Sequence, residues 1–185
     1  MAKHSESPRK DKHSESPRKE KHGESPKKEK TEGELTEKVL SINRCSKVVK
    51  GGRKFSFSAL ILVGDGKGRV GYGFAKANEL TDAIRKGGEA ARKNLIHCPL
   101  EGTTIPHEIT VHWDGATVLL KPAPAGTGVI AGSKVRAVLE LAGVKDVMAK
   151  NLGARNPINQ VKATFAAIEQ LSTRDQIKQK RGLQG

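Results

Sequence analysis

From Leu35 onward the chain switches repeatedly between a two-residue and a three-to-four-residue hydrophobic rhythm. Leu35 to Arg44 alternates as a strand does, with Leu40 and Ile42 on one face and Val39 on the other. The polar stretch Ser46 to Lys54 follows, where Gly51-Gly52 can take the positive φ of a tight reversal. Phe55, Phe57, Ala59, Ile61 and Val63 share one face at period two, which predicts a second strand. Gly64 to Gly68 reads as a loop and Arg69 to Lys76 as the returning strand. Asn78 or Thr81 is placed to cap a helix whose apolar stripe is Leu80, Ile84, Gly87, Ala91 and Leu95. The first unit therefore reads β-β-β-α.

Pro99 to Pro106 reads as a linker. Glu108 to Trp113 and Ala116 to Lys121 form two strands around the turn Asp114-Gly115, and Pro122 and Pro124 end the second. Gly126 to Gly132 leads into a helix over Ser133 to Ala142, stopped by Gly143. Val144 to Lys150 reads as a short strand. Asn156-Pro157 opens a further helix with proline in its first turn, and its stripe is Ile158, Val161, Phe165, Ile168 and Leu171. This unit reads β-β-α-β-α, and a frayed basic end is expected from Arg174.

The pattern is absent from the first 33 residues. Residues 3–11, 12–20 and 21–29 are three copies of one nine-residue unit, KHSESPRKD, KHSESPRKE and KHGESPKKE. With no apolar content they have no core to bury, and nine residues is too short for a solenoid unit, so a disordered tail is expected. Each copy holds Ser-Pro followed by two basic residues, at Ser7, Ser16 and Ser25. That suits either a phosphate-touching arm tuned by phosphorylation or a solvated linker of mixed charge. The expected division is a tail at 1–33, a first domain at 34–98, a linker at 99–107, a second domain at 108–172 and a basic flexible C-terminus at 173–185.

Charge narrows the function. The 185 residues carry a net +14. The first 30 hold ten Lys/Arg against six Asp/Glu, so most of the excess lies in the patterned part. A basic fold of this kind calls for a polyanion. No run approaches the ~20 apolar residues of a spanning helix, and the charged N-terminus has no secretory h-region, so nucleic acid is favoured over membrane and a cytoplasmic protein is expected. Aromatics make up 3%, too few for base stacking to dominate binding.

Catalytic chemistry finds no foothold. Gly126-Thr-Gly128-x-x-x-Gly132 misses the dinucleotide fingerprint by one position and lacks the Lys-Ser/Thr ending of a P-loop. Close packing or partner contact is the plainer reading of that loop. Cys45 and Cys98 form no CxxC pair, Gly64 to Gly68 lacks calcium ligands, and the histidines form no triad. No catalytic residue, metal or cofactor is expected. The coherent constellation is cationic: Arg44, Lys47, Lys50, Arg53 and Lys54 surround the Gly51-Gly52 reversal, joined by Lys67, Arg69, Lys76, Arg85, Lys86, Arg92 and Lys93. Basic loops and a basic helix on a small sheet suit the phosphates of folded RNA, which is read mainly by shape. A solvated basic face is the bland alternative. A free-standing RNA chaperone and a nucleotide hydrolase using the Gly126 loop are the rival functions.

Asn43 to Ala77 (NRCSKVVKGGRKFSFSALILVGDGKGRVGYGFAKA) closely resembles the signature segment of the family of the fifth protein of the bacterial small ribosomal subunit, and Gly126 to Thr164 resembles its second half. The resemblance runs in order from Leu35 to Leu171. It implies an α+β fold: an N-terminal double-stranded-RNA-binding-like domain followed by a two-layer domain. It implies binding to small-subunit ribosomal RNA, with the fourth and eighth small-subunit proteins and the messenger RNA path nearby, and roles in assembly and translational fidelity. On the family pattern the reversal Ser46 to Arg53 reaches toward RNA, with Ser46, Lys47 and Lys50 at matching positions, and Gly126, Gly128 and Arg136 face the fourth protein. The repeated tail is no part of that pattern.

Overall fold

The structure is a computed structural model that describes residues 35–182. The tail reading at 1–33 lies outside the described residues. Strands β1 (Thr36–Val49), β2 (Gly52–Gly64), β3 (Arg69–Ala77) and β4 (Leu95–His97) form one antiparallel sheet in sequence order. Helix α1 (Leu80–Lys93) covers one face, where Ala59, Ile61 and Val63 bury against Ala83 and Ala91. The period-two face predicted for β2 is therefore the α1 face. The approach is close enough that a Cβ on Gly73 would collide with the backbone of Gly87 and Ala91, so the helix lies directly on the strand.

The second sheet has the order β5-β6-β8-β7, from β5 (Ile109–Trp113), β6 (Ala116–Pro122), β7 (Val129–Ile130) and β8 (Val147–Asn151). Only the β7–β8 pair is parallel among the described strands of this sheet. Helices α2 (Ser133–Ala142) and α3 (Pro157–Gln170) pack on it. Asn156 caps α3, its side chain accepting from Ile158 N at 3.2 Å, with Pro157 in the first turn as the sequence predicts.

The other face of β2 is buried too. Leu60 and Leu62 join one apolar cluster with Val118, Leu120, Val138, Leu139, Phe165 and Ile168. Tyr72 of β3 meets Phe165 of α3 edge-on at 4.6 Å between ring centroids. The β2–β3 loop seals the junction. Gly66 N and Gly68 N donate to Leu141 O (3.0 Å) and Ala142 O (2.9 Å), which satisfies carbonyls left open at the end of α2. The 99–107 segment joins this packing: Ile105 is 1% exposed, and Thr103 O accepts from both Lys145 N and Asp146 N.

The α+β class holds, and several details of the predicted pattern are corrected. A β-bulge between Val39 and Ser41 inserts one residue, so Val39 and Ile42 pair with Ile61 and Ala59 on the α1 side while Leu40 packs into the larger cluster. Glu79, not Asn78 or Thr81, is the N-cap of α1, and it makes no side-chain cap bond. Leu95 belongs to β4 rather than to the helix. The loop before α2 contains β7, and the strand expected at Val144–Lys150 occupies Val147–Asn151. In place of the frayed end expected from Arg174, α4 (Arg174–Lys180) forms behind a capping box between Thr173 and Gln176.

Candidate nucleic-acid interface

Strands β1 and β2 are paired without interruption from the bulge to Val49↔Gly52, but β3 pairs with β2 only as far as Phe57. Beyond that point the hairpin is a two-stranded ribbon. Five residues of β2, Gly52 to Ser56, project past the sheet, about 17 Å at ~3.4 Å per residue. Lys50-Gly51 turns the tip, with Gly51 at φ 95° and Gly52 at φ 149°, so the predicted reversal sits where the glycines allow it.

No acidic residue lies between Arg44 and Phe57, and all five cations of the ribbon are exposed. Pairing decides how they are displayed. Lys47 stands directly opposite Lys54, while Arg44, Ser46, Arg53 and Phe55 share the other face. Like charges in direct cross-strand register oppose folding. Among the described residues no carboxylate lies within 4.0 Å of any of the five. Arg44 stacks on the Phe55 ring at 3.9 Å, which holds its guanidinium plane fixed against an aromatic face without neutralising it. The ribbon is two strands wide, displays exposed cations on both faces that have no carboxylate within 4.0 Å among the described residues, and exposes apolar Val48 near its tip.

The remaining candidate cations divide. Arg69 binds Asp65 at 2.7 Å, Arg85 lies against Glu89 (3.2 Å) and Asp82 (3.6 Å), and Arg92 reaches Glu37 of β1 at 3.1 Å. These three are partly compensated and help hold loop and helix in place. Lys67, Lys76, Lys86 and Lys93 are exposed and have no carboxylate within 4.0 Å among the described residues; Lys76 lies 5.8 Å from the Phe74 ring centre. Asp65 is 3% exposed at its side chain. Burial works against its charge, but donation from the Arg69 side chain and from the Lys67 and Arg69 amides holds its carboxyl below the ordinary value.

The Gly126 loop is organised from below. Asp146, 5% exposed, accepts from Gly126 N (3.0 Å) and Gly128 N (2.9 Å). A hydrogen bond from the Thr103 side chain, then the Gly128 and Gly126 amides, lower its carboxyl below the ordinary aspartate value. Those amides are thus turned toward a buried carboxylate, and a nucleotide phosphate there would meet that charge. Gly126 and the nearby Arg136, in the first turn of α2, remain exposed, with Gly128 half-buried. Lys134 of the same turn donates to Leu40 O at 2.8 Å and so ties α2 to the bulge at the base of the ribbon. The sequence reading missed Lys134 and Asp146, because both act through partners distant in the chain.

Cys98 is buried, which pushes its thiol up to about 11, whereas Cys45 is exposed on the ribbon. Among the described residues no group of His, Cys, Asp and Glu could hold a metal ion, and no helix is long and apolar enough to cross a membrane.

The family model for ribosomal protein S5, N-terminal domain, matches residues 35–99, and that for ribosomal protein S5, C-terminal domain, matches residues 111–181. The small ribosomal subunit protein uS5 of Protochlamydia amoebophila is 85% identical over 183 residues, covering 99% of this chain and 100% of the relative. Its counterpart in Chlamydia caviae is 70% identical over 151 residues, 81% of this chain and 92% of the relative. That of Chlamydia trachomatis serovar D is 67% identical over 153 residues, covering 82% and 93%. Matched through both halves by the family models and over nearly its whole length by a relative, the chain belongs to the ribosomal protein S5 family.

Proposed function

We propose that the chain is a structural, non-catalytic constituent of the small ribosomal subunit in the cytoplasm, and that the β1–β2 ribbon is its principal hold on ribosomal RNA. The observation that carries this reading is the set of five exposed cations on one projecting hairpin, with no carboxylate within 4.0 Å of them among the described residues. Arg44, Lys47, Lys50, Arg53 and Lys54 neutralise phosphates and release counterions, and Ser46 and the Gly51-Gly52 backbone allow close approach. The exposed Lys86 and Lys93, with Arg69, Arg85 and Arg92, extend the cationic surface over the α1 side of the first half, while Lys67 in the β2–β3 loop and Lys76, paired with Ser58 on the opposite face of the sheet, add further exposed cations. By fixing local RNA geometry the chain supports subunit assembly and influences translational accuracy and messenger RNA entry.

The surface of Gly126, Gly128 and Arg136 faces the fourth small-subunit protein in this reading, and the eighth lies nearby. Residues 34–98 serve as the RNA-facing domain and 108–172 as the protein-facing one. What favours the split is that the acid-free ribbon belongs to the first half, while the loop pinned by Asp146 belongs to the second.

A salt titration of binding to small-subunit ribosomal RNA tests the ribbon. For Lys47→Gln, Lys50→Gln and Arg53→Gln combined, the slope of log affinity against log salt flattens by about one for each phosphate that is no longer neutralised. A slope equal to the parent's contradicts the assignment. Sedimentation separates this reading from a free-standing RNA chaperone: the chain is expected to travel with the small subunit at near-equal stoichiometry.

A further inference from the structure

Helix α4 stands apart from the ribbon and from the core. It has seven residues and buries none of them, so its own helix propensity is too short a support to explain it. The Thr173–Gln176 capping box and Ile177, half-buried, hold it beside the 101–107 segment. Between the two runs an open groove of about 400 Å³. Arg174, Lys178 and Arg181 line one wall, at the i, i+4 and i+7 positions of one helical face. No carboxylate lies within 4.0 Å of any of them among the described residues, although Glu101 also lines the groove.

His107 fixes the opposite wall. One ring nitrogen, Nε2, accepts from Ser172 N at 3.2 Å, so the other, Nδ1, bears the proton and donates to Glu108 O at 2.9 Å. Both nitrogens are spent within the fold. The groove is therefore pre-formed, and its unspent polar groups on the helical wall are the three cations.

We propose that this groove is a second RNA-binding surface, taking the phosphodiester backbone of a structured ribosomal RNA segment along the Arg174–Arg181 face. The inference rests on the reading that the chain binds small-subunit ribosomal RNA. Charge complementarity selects the occupant. Three cations along ~10 Å of helix match the dense, regular charge of a duplex, about one per 1.7 Å of axis. Two of the three are arginines, whose planar forks bind phosphate oxygens in pairs. The half-buried Ile177 supplies a floor rather than an apolar anchor of the kind a protein partner fills.

The test uses the full chain and protein-free small-subunit ribosomal RNA. Arg174→Gln, Lys178→Gln and Arg181→Gln are combined; glutamine keeps helix propensity while removing charge. The salt slope is expected to flatten by about 0.9 for each phosphate released, close to three units in all, with the melting temperature unchanged. A parent-like slope, with the ribbon variant still flattened, overturns this inference and leaves the ribbon reading intact. If neither variant moves the slope, both fall. If the α4 variant loses binding only when other small-subunit proteins are present, the occupant is an acidic protein surface and the RNA assignment is overturned. On the unaltered chain, Lys178 is expected to be protected from chemical acetylation by the same RNA; undiminished labelling contradicts the proposal even if the triple variant fails to fold.

Discussion

Residues 52–55 of β2 are exposed and carry Arg53 and Lys54, whereas residues 58–64 of the same strand are buried and carry no charge. The buried end is sandwiched: α1 covers Ala59, Ile61 and Val63, and the second half of the chain covers Leu60 and Leu62. Among the described residues the exposed end pairs only with β1. One continuous hydrogen-bonded ladder thus joins a region held by apolar burial to a region that works against its own folding through like charge. The two ends therefore serve different tasks. An isolated two-stranded ribbon is marginal in water, so the arm is held out by the rigidity of the sandwich at its base, while its charges await a partner of opposite sign.

Truncation in the core separates the two ends most strongly. Leu62→Ala, at a fully buried position, is expected to cost about 2–5 kcal/mol of unfolding free energy in denaturant melts. The salt slope of RNA binding should stay the same wherever the variant is folded. A smaller loss together with a changed slope means that the two ends are not separable in this way.

Acid probes the second half through the Asp146 clamp. Its folded carboxyl titrates below the ordinary value of 3.8, so its stabilisation is fully present above that value and is lost as the pH falls through the lowered one. Asp146→Asn is therefore expected to melt at a lower temperature than the parent at neutral pH, with the gap closing under acid. A gap that is constant with pH would show that shape, not charge, holds the Gly126 loop.

A slighter change, of opposite sign, is expected on the ribbon. Lys54→Gln removes the direct opposition to Lys47 and should stabilise the isolated protein by ~0.2–1 kcal/mol while weakening RNA binding. Calorimetry and a binding titration on the same sample check both halves. Destabilisation would mean that Lys54 has a structural role.

Much of this was legible where local chemistry decides the outcome. The period-two run from Phe55 to Val63, the Gly51-Gly52 tip and the Asn156-Pro157 helix start all fall where the residue pattern puts them. The cation cluster of the ribbon was legible for the same reason, since no acid intervenes between Arg44 and Phe57. The bulge at Leu40 was not, because one inserted residue inverts the faces of β1 without any change in composition. Strands β4 and β7, three and two residues long, are too short to show a period. The i,i+3 and i,i+4 partners of Arg85 were readable on a helix, whereas the Arg92–Glu37 pair depends on tertiary packing. Helix α4 has no apolar stripe, yet Thr173-Arg-Asp-Gln176 carries a capping-box signature that marks its start.

The two cysteines offer a probe of the ribbon in place. Cys45 is exposed on the ribbon, and Cys98 is buried with its thiol at about 11, so a thiol-directed photocrosslinker marks Cys45 selectively in the native chain. In the assembled small subunit, irradiation is expected to join Cys45 to a small set of ribosomal RNA nucleotides. A labelled ribbon that yields no RNA adduct would contradict the assignment of the hairpin to RNA.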